Sequence, residues 1–312
     1  MSLITLIIRR LLLAIPVLVG VSVITFATLH LIPGDPARTL LFGTQASPAQ
    51  VAALSRQLGL DRPVPVQYWE YLVRLVHGNL GQSYINQLPV ASEIGQRLPS
   101  TVELALAALV VALVIGVPAG LVAGIRPGTW LDRVATGGAV LGVAVPYFWL
   151  ALLLVLVFSV QLRLVPSLGT GGLTSMILPA IALGWGFAAM IARLLRAGLV
   201  GVYGQPYVAA ARARGLSEPR ILATTVVRNA CGPMVAGLGL QIGSLLAGAV
   251  AIEVIFGRAG IGSLLYNAIS SKDIPTVQGG VLFIAVIYVA LNLIVDVLKA
   301  VIDPRTRRTA TS

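Results

Sequence analysis

Tyr203-Gly-Gln-Pro-Tyr-Val-Ala-Ala-Ala-Arg-Ala-Arg-Gly-Leu-Ser-Glu-Pro-Arg-Ile-Leu222 is a basic stretch set between two long charge-free runs. It carries Arg212, Arg214 and Arg220 against one acid, Glu218, and continues through Arg228 to Pro233. So polar a segment does not enter a bilayer, and it is too long for a simple turn. Tyr207 to Gly215 is rich in helix formers, and Gly215 suits the left-handed residue that ends a helix. Ser217 and Pro219 fit the start of a second helix. The spacing therefore predicts a short helix, a glycine turn and another short helix, a lever lying on a membrane face and joined to an apolar run on each side. Composition alone leaves equal room for a solvated basic loop against lipid headgroups.

Outward from that stretch the chain is a membrane protein. Of its 312 residues 57% are hydrophobic and 11% charged, where a soluble domain has about a quarter charged. The uncharged runs are 11–34, 104–125, 134–162, 164–192, 229–252 and 274–295. Each holds the roughly 20 residues that cross a hydrocarbon core as helix. The expectation is an all-α polytopic fold with six transmembrane helices. Gly116, Gly120 and Gly124 form a small-xxx-small ladder suited to close helix packing. Pro16, Pro118, Pro146 and Pro179 fall in or at the edges of spans, where kinks are tolerated if neighbours satisfy the freed backbone groups.

The net charge of +11 reports orientation. Arg9 and Arg10 precede the first run, and Arg126 and Arg133 bracket the turn after the second. Arg193 and Arg196 lead into the central loop, and Lys299, Arg305, Arg307 and Arg308 follow the sixth run. By the positive-inside rule both termini and the central loop are cytoplasmic, so the arginines speak for lipid and not for nucleic acid. The expected division is a first span at 1–34, retained rather than cleaved, and an extracytoplasmic extension at 35–100. The membrane domain follows at 101–302, with its cytoplasmic loop at 203–233, and a basic tail at 303–312. Leu98-Pro-Ser-Thr-Val-Glu103 is predicted as a helix start, with Ser100 or Thr101 as the cap.

Catalytic chemistry is not visible. The lysines are Lys272 and Lys299, neither of them after a glycine, so a phosphate-cradling P-loop is missing. The histidines, His30 and His77, stand far apart without zinc-site spacing, and no metal site is expected. The runs lack acids at their centres, which argues against a self-powered secondary transporter, although a self-contained channel or a structural anchor remains a rival. Tyr147, Trp149, Trp185, Gln241 and Ser244 are among the few aromatic and neutral polar side chains in the third to fifth runs. They are candidates to line a pathway, against ordinary packing for each singly. Glu253 and Arg258 flank the end of the fifth run beside Gly257, Gly260 and Gly262. They are candidates for the outer rim, with a simple structural salt bridge as the alternative.

The central stretch resembles the EAA loop of permease subunits in ATP-binding-cassette importers, in the form found in dipeptide and oligopeptide permeases. Its EAA-x-x-x-G core falls on Ala209, Ala210, Ala211 and Gly215, with alanine where the family carries glutamate, and its closing proline is Pro233. Arg9-Arg-Leu-Leu-Leu-Ala-Ile-Pro16, Ile32-Pro-Gly-Asp-Pro36, Gly59-Leu-Asp-Arg-Pro63, Gly78-Asn-Leu-Gly-Gln-Ser83, Glu253-Val-Ile-Phe-Gly-Arg258 and Asp273-Ile-Pro-Thr-Val-Gln-Gly279 match the same pattern in order. The run into Pro-Gly-Asp-Pro is similar to the B-type subunit. The resemblance implies a heterodimer with a second permease, two ATPase subunits that bind ATP and Mg, and an extracytoplasmic solute-binding protein. It implies no cofactor on this chain, and peptide cargo, with nickel chelate, glutathione, haem or sugar as alternatives. Ala209, Ala210, Ala211, Arg212, Gly215 and Leu216 would form the ATPase-coupling site. Of these, Arg212 is expected to reach a partner carboxylate and Leu216 to serve as an apolar knob.

Overall fold

A computed structural model of the chain describes residues 3–31, 47–57, 59–168 and 172–302, and their regular structure is helical apart from one isolated bridge between Gln82 and Pro89. In order the helices are α1 (Leu3–Leu31), α2 (Pro48–Gln57), α3 (Val64–Val76), α4 (Val90–Ile125) and α5 (Trp130–Ala144). Then come α6 (Tyr147–Leu154), continued by π-helical turns Val155–Gln161, and α7 (Gly172–Tyr203). Next are α8 (Pro206–Ala213), α9 (Glu218–Ile221), α10 (Val227–Ile255), α11 (Ile261–Ser270) and α12 (Ile274–Ile302).

Helices α1, α4, α7 and α12 are long and apolar enough to cross a membrane, and α5 with α6 adds a fifth if the bent pair is one span. In α10 the described apolar part is Gly243–Ile255, shorter than a full span. Six apolar runs thus become four or five spanning helices among the described residues. The third run departs most from expectation, because α5 and α6 meet at 102°. Pro146 has no N–H to offer, and Val145 before it takes an extended conformation (φ −82°, ψ 119°), as proline demands of its predecessor. The expected helix start at Leu98–Glu103 is also corrected. Helix α4 begins eight residues earlier, at Val90, and runs straight through Pro99. Arg9 and Arg10 lie within α1 rather than before it. Ile32-Pro-Gly-Asp-Pro36 and the tail arginines lie outside the described residues.

The chain divides into two compact units. In the one built on Ser100–Arg258, α7 is the centre: 61% of its most apolar window is buried, against 22% for α4. Small residues allow this enclosure. A Cβ on Gly116, Gly120 or Gly124 would stand 2.5 Å from Ala188 O, 2.8 Å from Ala192 O and 2.6 Å from Leu199 Cδ1 respectively. The ladder seen in sequence is therefore the α4 face laid against α7. Gly198 does the same from α7, within 2.5 Å of Ala230 O in α10. Asp132 ties α5 to α7, accepting Arg196 Nε at 2.5 Å and Nη2 at 2.8 Å, with the Gly128 N–H (2.8 Å) and Thr136 Oγ1 (3.1 Å) completing its shell.

The other unit joins Arg9–Pro99 to Ala259–Val289. Phe26, Tyr68 and Tyr71 pack together edge-to-face and tilted, and Ser22 and Thr25 of α1 hydrogen-bond the two tyrosine hydroxyls. Val90 and Ile94 form a core with Ile261 and Leu264. Buried Asp273 accepts from Ser83 Oγ (2.6 Å), the Tyr84 N–H (2.9 Å) and Thr276 Oγ1 (2.8 Å). Residues 83 and 84 are thereby fastened to the stretch between α11 and α12.

Candidate functional site

Two places gather the residues singled out in the sequence. The first is the central basic stretch. Gln205 is extended before Pro206 at the start of α8, and the helix ends at Arg214 before Gly215, whose φ is +79°. That is the left-handed conformation that only glycine adopts cheaply. Ser217 stands at the cap position of α9, followed by Pro219, but its hydroxyl makes no capping bond. The predicted helix, turn and second helix are present. The π-helical stretch Leu222–Val226 then carries α9 into α10 without a break.

This turn has its own core. Val208 and Ala211 of α8 pack with Ile221 of α9, Leu195 and Leu199 of α7, Val226, and Ala230 of α10. Ala211 is buried at 2% exposure and Leu216 packs against the same cluster. Ala211 is therefore part of the turn's interior, while Leu216 is half-buried against it. Ala209, Ala210 and Gly215 are exposed. Arg212 finds its carboxylate within the chain: its Nε lies 2.5 Å from Glu218 Oε1, Nη2 lies 3.4 Å from Oε2, and the guanidinium stands 6.0 Å over the Tyr203 ring. The pair holds the Glu218 carboxyl below its ordinary value. It latches α8 to α9 within the chain, where the sequence-based expectation is that Arg212 reaches a carboxylate on a partner.

The second place is a cleft of about 410 Å³. Pro146 and Tyr147 at the bend, Trp185 and Met190 of α7, and Gln241 and Ser244 of α10 line it together with Gly142, Gly186 and Arg193. Four of the five pathway candidates, drawn from three separate runs, thus converge. Trp149 does not. It lies two residues beyond Tyr147, about 200° round the helix, and is 49% exposed away from the cleft. Sequence reading missed Met190 and Arg193. Arg193 was legible only as one of a pair with Arg196, and nothing in the sequence said that Asp132 would take one and leave the other.

Glu253 and Arg258 are both buried. Glu253 is fully buried and accepts from Thr101 Oγ1 at 2.6 Å. Arg258, 3% exposed, reaches Ser100 Oγ (3.3 Å) and Glu103 Oε2 (3.5 Å), while its backbone N–H donates to Glu253 O at 2.8 Å. Both side chains stitch the end of α10 to residues 100–103 of α4. Gly257 makes the turn between them with φ +61°. Charged side chains can be buried where they find partners, and here both do. No cluster of metal-ligating side chains occurs among the described residues.

Comparison with known proteins follows the same outline. Residues 116–308 match the family described as binding-protein-dependent transport system inner membrane component, and residues 3–105 match the N-terminal domain of such membrane components. The chain is 40% identical over 301 residues to the glutathione transport system permease protein GsiC of Escherichia coli, covering 96% of this chain and 98% of that one. It is 37% identical to the dipeptide transport system permease protein DppB of the same species, with the same coverage. Among solved structures, an inward-facing MetNI methionine ABC transporter chain superposes with a TM-score of 0.57 at 20% identity, over 67% of this chain and 96% of that one.

Proposed function

This chain belongs to the family of binding-protein-dependent transport system inner membrane components, and on that premise we propose that it is a permease subunit of an ATP-binding-cassette importer and forms half of the pathway for peptides. The convergence of Tyr147, Trp185, Gln241 and Ser244 on one cleft supports a pathway there. The self-packed turn at 206–221 supports a coupling element. Dipeptides and glutathione, the cargoes named for the two relatives, share an amide bond, a free amino group and a free C-terminal carboxylate. Peptide is accordingly the cargo class proposed.

The partners in this reading are a second permease, two ATPase subunits that hold ATP and Mg on the cytoplasmic side, and an external solute-binding protein. Both termini and the 203–233 segment face the cytoplasm, and the chain itself does no catalysis. Closure of the ATPases moves the exposed Ala209–Ala210–Gly215 surface, and the core beneath it carries α7 and α10 along. ATP and loaded binding protein must favour different states of the pore for the cycle to run.

The test is Gly215→Val in the reconstituted importer. A Cβ meets nothing within 4 Å at Gly215, so the cost comes from φ alone, about 1–2 kcal/mol. The variant should insert and assemble yet import at a small fraction of the wild-type rate, with ATP hydrolysis no longer stimulated by loaded binding protein. Wild-type import and stimulation would remove the coupling assignment. Transport by the chain alone in liposomes, without any ATPase, would favour a self-contained carrier instead.

A further inference from the structure

Arg193 and Arg196 sit one turn apart on α7 and meet different fates. Arg196 is neutralised by the two-pronged contact with buried Asp132. Arg193 has no ion pair among the described residues, and it lines the cleft beside Trp185 and Gln241. Arg193 is exposed rather than buried, so its guanidinium is open to a ligand. What it rests on is informative. Arg193 Nη2 lies 3.6 Å from Met190 Sδ, and Gln241 Nε2 lies 3.9 Å from the same sulfur. Two strong donors, from α7 and α10, share one thioether, which is a weak acceptor. Either donor gains by exchanging that sulfur for an oxygen. The guanidinium fork matches a carboxylate in two parallel hydrogen bonds, and the Gln241 amide can add a third.

We propose that Arg193 and Gln241 form a subsite in the cleft that holds the carboxylate of a peptide, displacing both from Met190. The proposal rests on the reading of the cleft as part of the pathway. It adds what that reading lacks, a feature common to peptides of any sequence: the C-terminal carboxylate is fixed by Arg193, while Tyr147 and Trp185 offer apolar walls that tolerate varied side chains. The volume is of the order of small-ligand sites, roughly 300–1,000 Å³.

The experiment uses the assembled importer without binding protein, carrying Ser244→Cys in a Cys231→Ser background. Ser244 is exposed and lines the cleft. A water-soluble maleimide should label Cys at 244, and millimolar trialanine should slow the labelling. Trialanine C-terminal amide should need about tenfold higher concentration for the same protection, the factor carried by one hydrogen bond to a charged group. Arg193→Gln should erase the difference between acid and amide, with protection in each variant taken relative to its own labelling rate without peptide, and Arg193→Lys should restore part of it. Labelling without peptide followed by equal protection from acid and amide overturns the subsite alone. So does protection that survives Arg193→Gln, or the lack of any protection. If the maleimide never labels position 244 in any nucleotide state, the cleft is not a water-filled pathway and the broader reading falls with it.

Discussion

Replacing Arg196 with methionine should destabilise the protein by an amount that its surroundings allow one to work out. Asp132 is 6% exposed and Arg196 33% exposed at the side chain. Removing one partner of a fully buried ion pair costs roughly 3–5 kcal/mol, because the other charge stays buried without compensation. Two features reduce that here. The Gly128 N–H and Thr136 Oγ1 still donate to the carboxylate, and water reaches the arginine side of the pair. About 2 kcal/mol is the expected loss, which lowers the melting temperature by roughly 4 °C in a chain of this size. Cys231, half-buried against the core of the α8–α9 turn, supplies the readout. A thiol-reactive dye reports its exposure as the detergent-solubilised protein melts. Adding Asp132→Asn should return about 1 kcal/mol of the loss, since the buried charge is gone, a coupling within the range found for contacting pairs. The reasoning fails if Arg196→Met melts within about 1 °C of wild type, or if the double variant loses the full sum of the two single changes.

Three further outcomes are expected. Gly120→Val should cost about 1–3 kcal/mol by forcing α4 off α7, whereas Gly137→Val, where a Cβ meets nothing within 4 Å, should melt nearly as wild type by the same dye assay. The Glu218 carboxyl is held below its ordinary value by Arg212, so its folded value lies below its unfolded one. Its contribution is then complete at neutral pH and lost as pH falls through the folded value. Hydrogen exchange at residues 206–221, corrected for intrinsic rates, should show steady protection from about pH 7 to 5 and a decline below about pH 4, with the decline missing in Glu218→Gln. Asp273→Asn should loosen the 81–89 segment, because Ser83 Oγ and the Tyr84 N–H then face an amide in place of a carboxylate. Faster proteolysis there, with unchanged cleavage at 203–233, is the expected pattern.

Local chemistry was legible where one residue type decides the outcome. Gly215 ends α8 with positive φ because no other residue does so cheaply, and Gly116, Gly120 and Gly124 mark a close approach because nothing larger fits. Hydropathy also located the long helices. It did not give their direction. Pro16, Pro99, Pro118 and Pro179 all lie inside continuous helices, while Pro146 turns the chain by 102°. What differs is the packing around each proline, and a single sequence does not contain it. The cleft was half-legible for the same reason. Aromatic and polar side chains in apolar runs are few enough to name, but Trp149 and Tyr147 differ only in helical phase, which the bend at Pro146 sets. Glu253 and Arg258 looked like surface charges because their partners, Thr101, Ser100 and Glu103, lie about 150 residues earlier.

The same long separation governs the order in which the protein can be completed. The unit that contains Arg9–Pro99 also needs Ala259–Val289, and the Ser83–Asp273 bond closes a gap of 190 residues. During synthesis the early segment therefore leaves the ribosome long before its carboxylate acceptor exists. Everything from Ser100 to Arg258 is made and inserted in the interval. Val90 and Ile94 wait through the same period without Ile261 and Leu264 to cover them, the kind of exposed apolar surface that invites misassembly in large proteins. A ribosome stalled near codon 258 should leave a nascent chain whose 81–89 segment is protease-sensitive, and release of the full chain should protect it in one step. Quality control of this protein would then have a single late checkpoint, set by the arrival of Asp273.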